Sequence, residues 1–522
     1  MDQVFLQLLQ KYNTDSQKKL LAERLNEPDR FRDFSKTAGN LLLDFSRTSL
    51  DQDSLDQLLA LLVNSGLEEA REQLFQGAEV NSTEHRPALH MAMRSETVLQ
   101  NLNTETATHV AETRDRMLGF AAAFAVGHLP AKPDWPVQHI IHIGIGGSVL
   151  GPRLLIEALG QRSSPQVHFL SSADAHLRDR LLADLDPAAT VVIVATKSFT
   201  TGETLLHAGR VMQWMQLELG RDAANQRLFA ISGNMAAAEE FGVPQANTLH
   251  LPDWVGGRYS IWSAVSLAAV SVMGKGDFRG FLQGAAAMDR HFLTTPLAEN
   301  LPVLMALTGI WHRNICGYPC QAVIPYDQRL RSLPAYLQQL VMESGGKSVN
   351  RQGEPVNYAT SPVLFGDAGT DAQHSIFQLL HQGTDIVPLD FIGVVRADHD
   401  DDEAHAVLLA NMLAQATALA IGTTGLQMTE ELDSHRHMSG GRPSEIILMD
   451  KLTPSALGQL LALYEHKVFV ESVIWGINPF DQFGVELGKK LARSIQPALQ
   501  GKPDEIPENY GLNAILDYIK NR

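Results

Sequence analysis

Two textures alternate along the chain. Up to about residue 115, apolar residues recur every three or four positions, as in Leu55, Leu58, Leu59, Leu61 and Leu62, which is the spacing of one buried helical face. From about residue 136 the pattern changes to short β-branched runs, 137–143 and 190–195, each followed by a glycine or hydroxyl loop and then a helical pattern. The same succession returns after residue 300, with candidate strands at 322–325 and 390–395. Strands alternating with helices imply parallel sheets covered on both faces, so the expected fold class is α/β with two such units. The expected division is a helical region over 1–115 packing on the larger domain, a smaller α/β domain over 116–275, a larger one over 276–500, and a helical tail over 501–522. The turn-rich stretch from Pro503 to Pro507 would set off that tail.

Composition and charge narrow the classes. The 522 residues are 44% hydrophobic and 19% charged, a folded globular composition. With 42 Lys plus Arg against 59 Asp plus Glu, the net charge of −17 argues against a nucleic-acid partner, whose footprint is basic. Two cysteines, Cys316 and Cys320, supply no disulfide framework and fit a reducing compartment. The N-terminal residues mix acid and amide with apolar side chains and lack the basic start of a secretory signal. The longest weakly polar segment is read as 261–273, short of the ~20 residues that span a bilayer. A cytoplasmic location and no membrane partner are therefore expected.

Two loops invite an anion. Residues 143–152 place Gly144, Gly146, Gly147 and Ser148 between a strand and a helix, where backbone N–H groups face outward. A dinucleotide fingerprint from Gly144 needs a small residue where Val149 stands. A P-loop from Gly146 runs into Pro152 and Arg153, and Gly346-Lys347-Ser348 lacks its first glycine at Val341, so no nucleotide cofactor is expected. The second loop carries Thr196, Lys197, Ser198, Thr200 and Thr201 directly after a buried strand, and Thr200 with Glu203 has the spacing of a capping box. Hydroxyls, an ammonium and free amides suit a phosphate monoester; a plain helix cap with a solvated lysine fits either loop alone equally well.

Acid–base candidates lie further on. A helix from about Pro334 to the Gly345-Gly346 pair puts Glu343 at its C-terminal end, where the dipole would raise a carboxyl pKa, although an ordinary solvated glutamate has the same pattern. Thr370 and Gln373 are spaced as a capping box for one helix closed by Gly383, with His374 in its first turn, where imidazolium is disfavoured; a hydrogen-bonded core histidine is the plainer reading. Arg258 follows Gly256 and Gly257, suited to a developing oxyanion or to a salt bridge. Glu486 is spaced to pair with Lys489 or Lys490 on a helix surface. His312, Cys316 and Cys320 fall four apart, but Pro319 interrupts the helix that would align them. Asp398, Asp400 and Asp402 start like an EF-hand that Glu403 and Leu409 break off, leaving an acidic helix start and no expected metal.

Six collinear stretches together resemble the glucose-6-phosphate isomerase family. They are GIGGSVLGP at 144–152, TKSFTTGET at 196–204, GGRYSIWSAVSL at 256–267, MESGGK at 342–347, GTDAQHSIFQLLHQG at 369–383 and LYEHKVFVESVIWGINPFDQFGVELGK at 463–489. A weaker match at 81–94 extends the likeness over most of the chain. Val149, Thr196, Gly345, Asp371 and Phe483 depart from residues common in that family. The resemblance implies two α/β/α sandwich domains of sugar-isomerase (SIS) type and a homodimer with the site shared between subunits. It implies interconversion of glucose 6-phosphate and fructose 6-phosphate through a cis-enediol, in glycolysis and gluconeogenesis, without metal or organic cofactor. It makes Glu343 the base, Arg258 the enediolate stabiliser, and His374 and Lys489 the groups that assist ring opening. Gly147, Ser148, Thr196, Lys197, Ser198 and Thr201 would hold the phosphate, with Gln339 and Gln482 on sugar or phosphate. Two alternatives stay open: an isomerase that also takes mannose 6-phosphate, and a non-catalytic sugar-phosphate-binding or signalling protein on the same fold.

Overall fold

The computed structural model describes residues 7–10, 12, 20–130, 132–161, 164–425, 434–500 and 511–522. Most of the N-terminal stretch read for a signal, and the expected break at Pro503–Pro507, lie outside them. The chain divides into two compact units, Met1–Pro479 and Phe480–Arg522.

Among its described residues the first unit is α/β, with two large sheets and one two-stranded sheet. Strands β1 (Ser35–Ala38) and β2 (Leu41–Asp44) come first, and a small antiparallel pair, β3 (His128–Leu129) and β4 (Lys132–Pro136), follows. Strands β5 (His139–Ile143), β6 (Gln166–Leu170), β7 (Thr190–Ala195), β8 (Leu228–Ser232) and β9 (Thr248–His250) form an all-parallel sheet in the order β6-β5-β7-β8-β9. Ile141 lies opposite both His168 and Val192, which sets the register of its centre. All six residues of β7 are buried, as a strand covered on both faces requires. Ile141, Val192, Val194, Val211, Met215 and Leu228 lie in one core cluster of this sheet.

Strands β10 (Cys320–Tyr326), β11 (Val363–Phe365), β12 (Leu389–Val394) and β13 (Ser444–Met449) run parallel in the second sheet, whose order is β1-β2-β13-β12-β10-β11. Its other edge corrects the expectation that residues 1–115 are helical throughout. β2 pairs antiparallel with β13, Leu43 opposite Ile447, and β1 closes the edge. The turn between β1 and β2 is Gly39-Asn40, with Gly39 at φ +56°, a two-residue hairpin whose first position needs a positive φ.

Helices complete the unit. Pro454–Trp475 is buried along nearly its whole length and packs against Lys275–Thr294. A Cβ at Gly284 would lie 2.0 Å from the Ser455 carbonyl oxygen, so only glycine permits this approach. Between these helices Arg94 donates to both oxygens of Asp289 at 2.9 and 2.7 Å and pairs with Glu465, while His466 and Trp262 bond Asp289 and Glu465 at 2.7 and 2.8 Å. Among the described residues, the apolar helix within 261–273 is short, Ala264–Met273, whereas the long apolar helix is Asp402–Thr423. By length and composition it could cross a membrane, yet its Met412, Ala416 and Leu419 pack into the core of the second sheet.

The second unit holds the helices Glu486–Leu499 and Leu512–Lys520. Leu487, Leu491, Ile515, Tyr518 and Ile519 on them are exposed.

Candidate active site

The five-stranded sheet places its chemistry by topology. From β5 the chain crosses to β6 on one side and returns to β7 on the other, so the strand order reverses between β5 and β7. In open parallel sheets ligands bind beyond the carboxyl ends of the strands at that reversal. The loops that follow are 144–148 after β5 and 196–201 after β7, the two that the sequence singles out.

The first loop packs tightly against its surroundings. Gly146, at φ +57° and ψ −126°, precedes the helix Gly147–Leu159. A Cβ on Gly146 would sit 3.0 Å from Gln339 Nε2, and one on Gly147 would sit 2.0 Å from the Gly257 carbonyl oxygen. Glycines here bring Gln339 and the Arg258 loop against this loop. Within the helix, Pro152 has no N–H for the Ser148 carbonyl four residues earlier. His142 on β5 fills that gap, with Nε2 at 2.7 Å from the Ser148 carbonyl oxygen. Burial holds its pKa down at about 4, so the imidazole is neutral and Nε2–H donates.

The second loop turns on Phe199, a non-glycine residue at φ +54° whose buried ring meets Phe241 at 5.7 Å. That turn leaves Ser198 and Thr200 exposed, their hydroxyls 2.7 Å apart, while Thr196 Oγ1 lies 3.2 Å from Thr201 Oγ1. The following helix starts at Gly202 with Thr201 at its N-cap and no side-chain cap, so the expected Thr200–Glu203 capping box does not form: the hydroxyls bond one another. Lys197 is no solvated lysine. Its ammonium donates to the carbonyls of Asp253 at 2.6 Å and Val255 at 3.1 Å, and burial, with Arg86 adding to it, lowers its pKa to about 8.

Arg258 is buried beside Glu343. Its Nε donates to Ser344 Oγ at 2.7 Å, its Nη2 to the Pro479 carbonyl at 2.5 Å, and its Nη1 lies 3.4 Å from Glu343 Oε2. Ser344 Oγ is also 3.0 Å from the Tyr259 hydroxyl, and the Tyr259 ring stacks on His90 at 4.4 Å. Burial raises the Tyr259 pKa, keeping its proton on. The Glu343 side chain stays 21% exposed, so it faces both the arginine and solvent. The helix carrying it is α over Leu333–Gln338 and a π turn over Gln339–Glu343, a widening that periodicity does not reveal.

Among the predicted residues, Gly147, Gln339, Arg258 and Glu343 thus come together, and Ser148, Thr196, Lys197, Ser198 and Thr201 stand at the adjoining strand ends. His374 is placed differently from expectation. Its helix is two short ones, Gly369–Gln373 and Phe377–Gln382, with Ala368 at the first N-cap and no capping box at Thr370. His374 therefore closes the first helix instead of opening a longer one. It is exposed, and among the described residues its ring makes no hydrogen bond or ion pair. In the second unit, Gln482 is half-buried before the Phe483–Val485 turn, and Lys489 is exposed near the start of Glu486–Leu499. Ser344 and Tyr259 escaped the sequence reading; standing next to Glu343 and Arg258 was their only signal.

An α/β fold of one all-parallel and one mixed sheet, with a carboxylate facing a buried guanidinium beside hydroxyl- and glycine-rich loops, makes an acid–base and anion-binding type of site. Comparison with known proteins narrows the class. Residues 44–511 match the phosphoglucose isomerase family. The chain is 44% identical to a glucose-6-phosphate isomerase of Xanthobacter autotrophicus over 94% of each chain, and 48% identical to one of Stenotrophomonas maltophilia over 91% of each. Among solved structures, a glucose-6-phosphate isomerase from Chlamydia trachomatis aligns with a TM-score of 0.87 at 33% identity, covering 99% of both chains. The chain belongs to the phosphoglucose isomerase family.

Proposed function

We propose that this protein is an aldose–ketose isomerase that interconverts glucose 6-phosphate and fructose 6-phosphate by proton transfer. The observation that carries the reading is the Glu343 carboxylate, part-exposed and 3.4 Å from Nη1 of a buried Arg258. A proton alpha to a carbonyl is only weakly acidic, so its removal calls for a positioned base and for positive charge where the oxyanion develops. Glu343 moves the proton between C1 and C2 through a cis-enediol, and Arg258 meets the charge on the oxygen. Ser148, Thr196, Ser198 and Thr201 hold the phosphoryl group with the N–H groups of their loops, and binding energy spent there orients the reacting end. Gln339 and Gln482 contact the sugar or phosphate, and His374 and Lys489 assist ring opening. The chemistry needs no metal or organic cofactor.

The same reading makes the protein a cytoplasmic homodimer whose sites are shared between subunits, and the exposed apolar residues of the second unit support an interface there. It divides the chain into domains at 116–275 and 276–500. Isomerisation of fructose 6-phosphate, followed with a coupled glucose-6-phosphate dehydrogenase in EDTA, tests it. Wild-type turnover should survive the chelator, and Glu343→Gln should lose about two orders of magnitude or more in kcat while still binding substrate. Binding without turnover in the wild type would instead favour the non-catalytic sugar-phosphate binder.

A further inference from the structure

Lys197 spans three strand ends. Its backbone oxygen, just beyond β7, accepts the Gly233 N–H at 2.9 Å and the Ser232 hydroxyl at 3.1 Å, both at the end of β8. Its side chain runs on to the carbonyls of Asp253 and Val255, which follow β9 and lead directly into Gly256, Gly257 and Arg258. Gly233 lets these backbones close up: a Cβ there would lie 3.1 Å from the Leu251 oxygen and 3.3 Å from the Lys197 oxygen. Two of the three ammonium hydrogens are thus committed to backbone that carries the arginine, not to the hydroxyl loop. The charged groups around the ammonium are Arg86, Glu84, Asp253 and Arg258.

We infer that Lys197 is a positioning residue: it ties the hydroxyl loop to the Asp253–Arg258 segment, and so sets Arg258 against Glu343 in register with a phosphoryl group held on that loop. The inference rests on the isomerase reading above and replaces a direct Lys197–phosphate contact with an indirect role. A substrate held on 196–201 then stiffens the segment bearing Arg258 through one side chain. Misplacing a charged group by about 1 Å can cost about 10²-fold in rate, so slackening this tie reaches the chemical step.

The test uses the full-length enzyme and inorganic phosphate as a competitive probe of the phosphoryl site. Lys197→Met, which keeps the stem, should lower kcat about 10- to 100-fold and change the inhibition constant of inorganic phosphate less than about threefold. The deuterium isotope effect with C2-labelled glucose 6-phosphate should rise. Lys197→Arg, still able to donate to both carbonyls, should recover much of kcat. In an Arg258→Lys background, Lys197→Met should cost less than about threefold, because residues that act as a unit are not additive. A phosphate inhibition constant raised tenfold or more with kcat retained, or additive losses in the double variant, would overturn the inference. If Lys197→Met does not fold, Lys197→Gln takes its place in the cycle with Arg258→Lys and is read by the same additivity criterion. A wild type without isomerase activity would sink the parent reading instead.

Discussion

Ser344 Oγ accepts the Arg258 Nε–H at 2.7 Å and lies 3.0 Å from the Tyr259 hydroxyl, so one small side chain steadies a guanidinium and a phenol together. Ser344→Ala removes the acceptor of the buried Arg258 Nε–H and one of the contacts of the Tyr259 hydroxyl, which keeps the Pro479 carbonyl at 3.4 Å, at a cost of about 1–3 kcal/mol. Its expected signature is a kcat about tenfold lower with KM nearly unchanged, and a urea midpoint moved slightly down. A larger change in KM than in kcat would mean that Ser344 serves substrate binding. At this scale the grouping was legible in part: Arg258 follows Gly256 and Gly257, Glu343 precedes the Gly345-Gly346 pair, and the two side chains lie 3.4 Å apart, but the roles proposed for them came from the family resemblance and not from spacing. What escaped was direction. That the Lys197 ammonium turns away from the hydroxyls, and that His374 ends a helix instead of starting one, depends on backbone angles that residue spacing does not encode.

Elements show the same division. The run at 190–195 forms a strand over those very residues, because a β-branched stretch buried on both faces has no competing helical pattern. The hairpin of β1 and β2 was missed although Gly39-Asn40 between two short runs is a hairpin signal; four-residue strands with Leu-Leu-Leu read as readily as helix. Pro152 supplies the clearest element-scale prediction. The Ser148 carbonyl it leaves open is met by His142, neutral in the fold with its pKa at about 4. The unfolded chain takes up that proton below about pH 6.5, so it binds more protons than the fold between about pH 6.5 and 4, and stability falls as the pH is lowered through that window. His312, buried and held at about 3, acts in the same sense. Urea midpoints measured across this range should fall less steeply for His142→Gln, whose amide still reaches the Ser148 carbonyl. An unchanged slope would remove His142 from the account.

At the scale of the whole molecule, the exposed apolar residues of the second unit carry the prediction. Leu487 and Leu491 lie one helical turn apart on Glu486–Leu499, and Leu487 is 67% exposed. Sedimentation of the wild type should give twice the 57.3 kDa chain mass, and Leu487→Glu with Leu491→Glu should shift it toward the single chain and lower activity, since Lys489 sits between them. A wild type that sediments at 57.3 kDa would end the dimer reading. The alternation of strand and helix patterns makes the α/β class legible at this scale. How distant segments complete one sheet is not, because register between strands far apart leaves no local trace.

The pairing of β2 with β13 joins residues about 400 positions apart. At about 5–20 residues per second of synthesis, the strand bearing Leu41 and Leu43 waits roughly 20–80 s between its own appearance and that of its partner. During that interval the Leu41-Leu42-Leu43 strand stands without the sheet edge it is shaped to close. The newborn chain is therefore expected to be open to holding chaperones for that interval, set by where its second sheet recruits a strand.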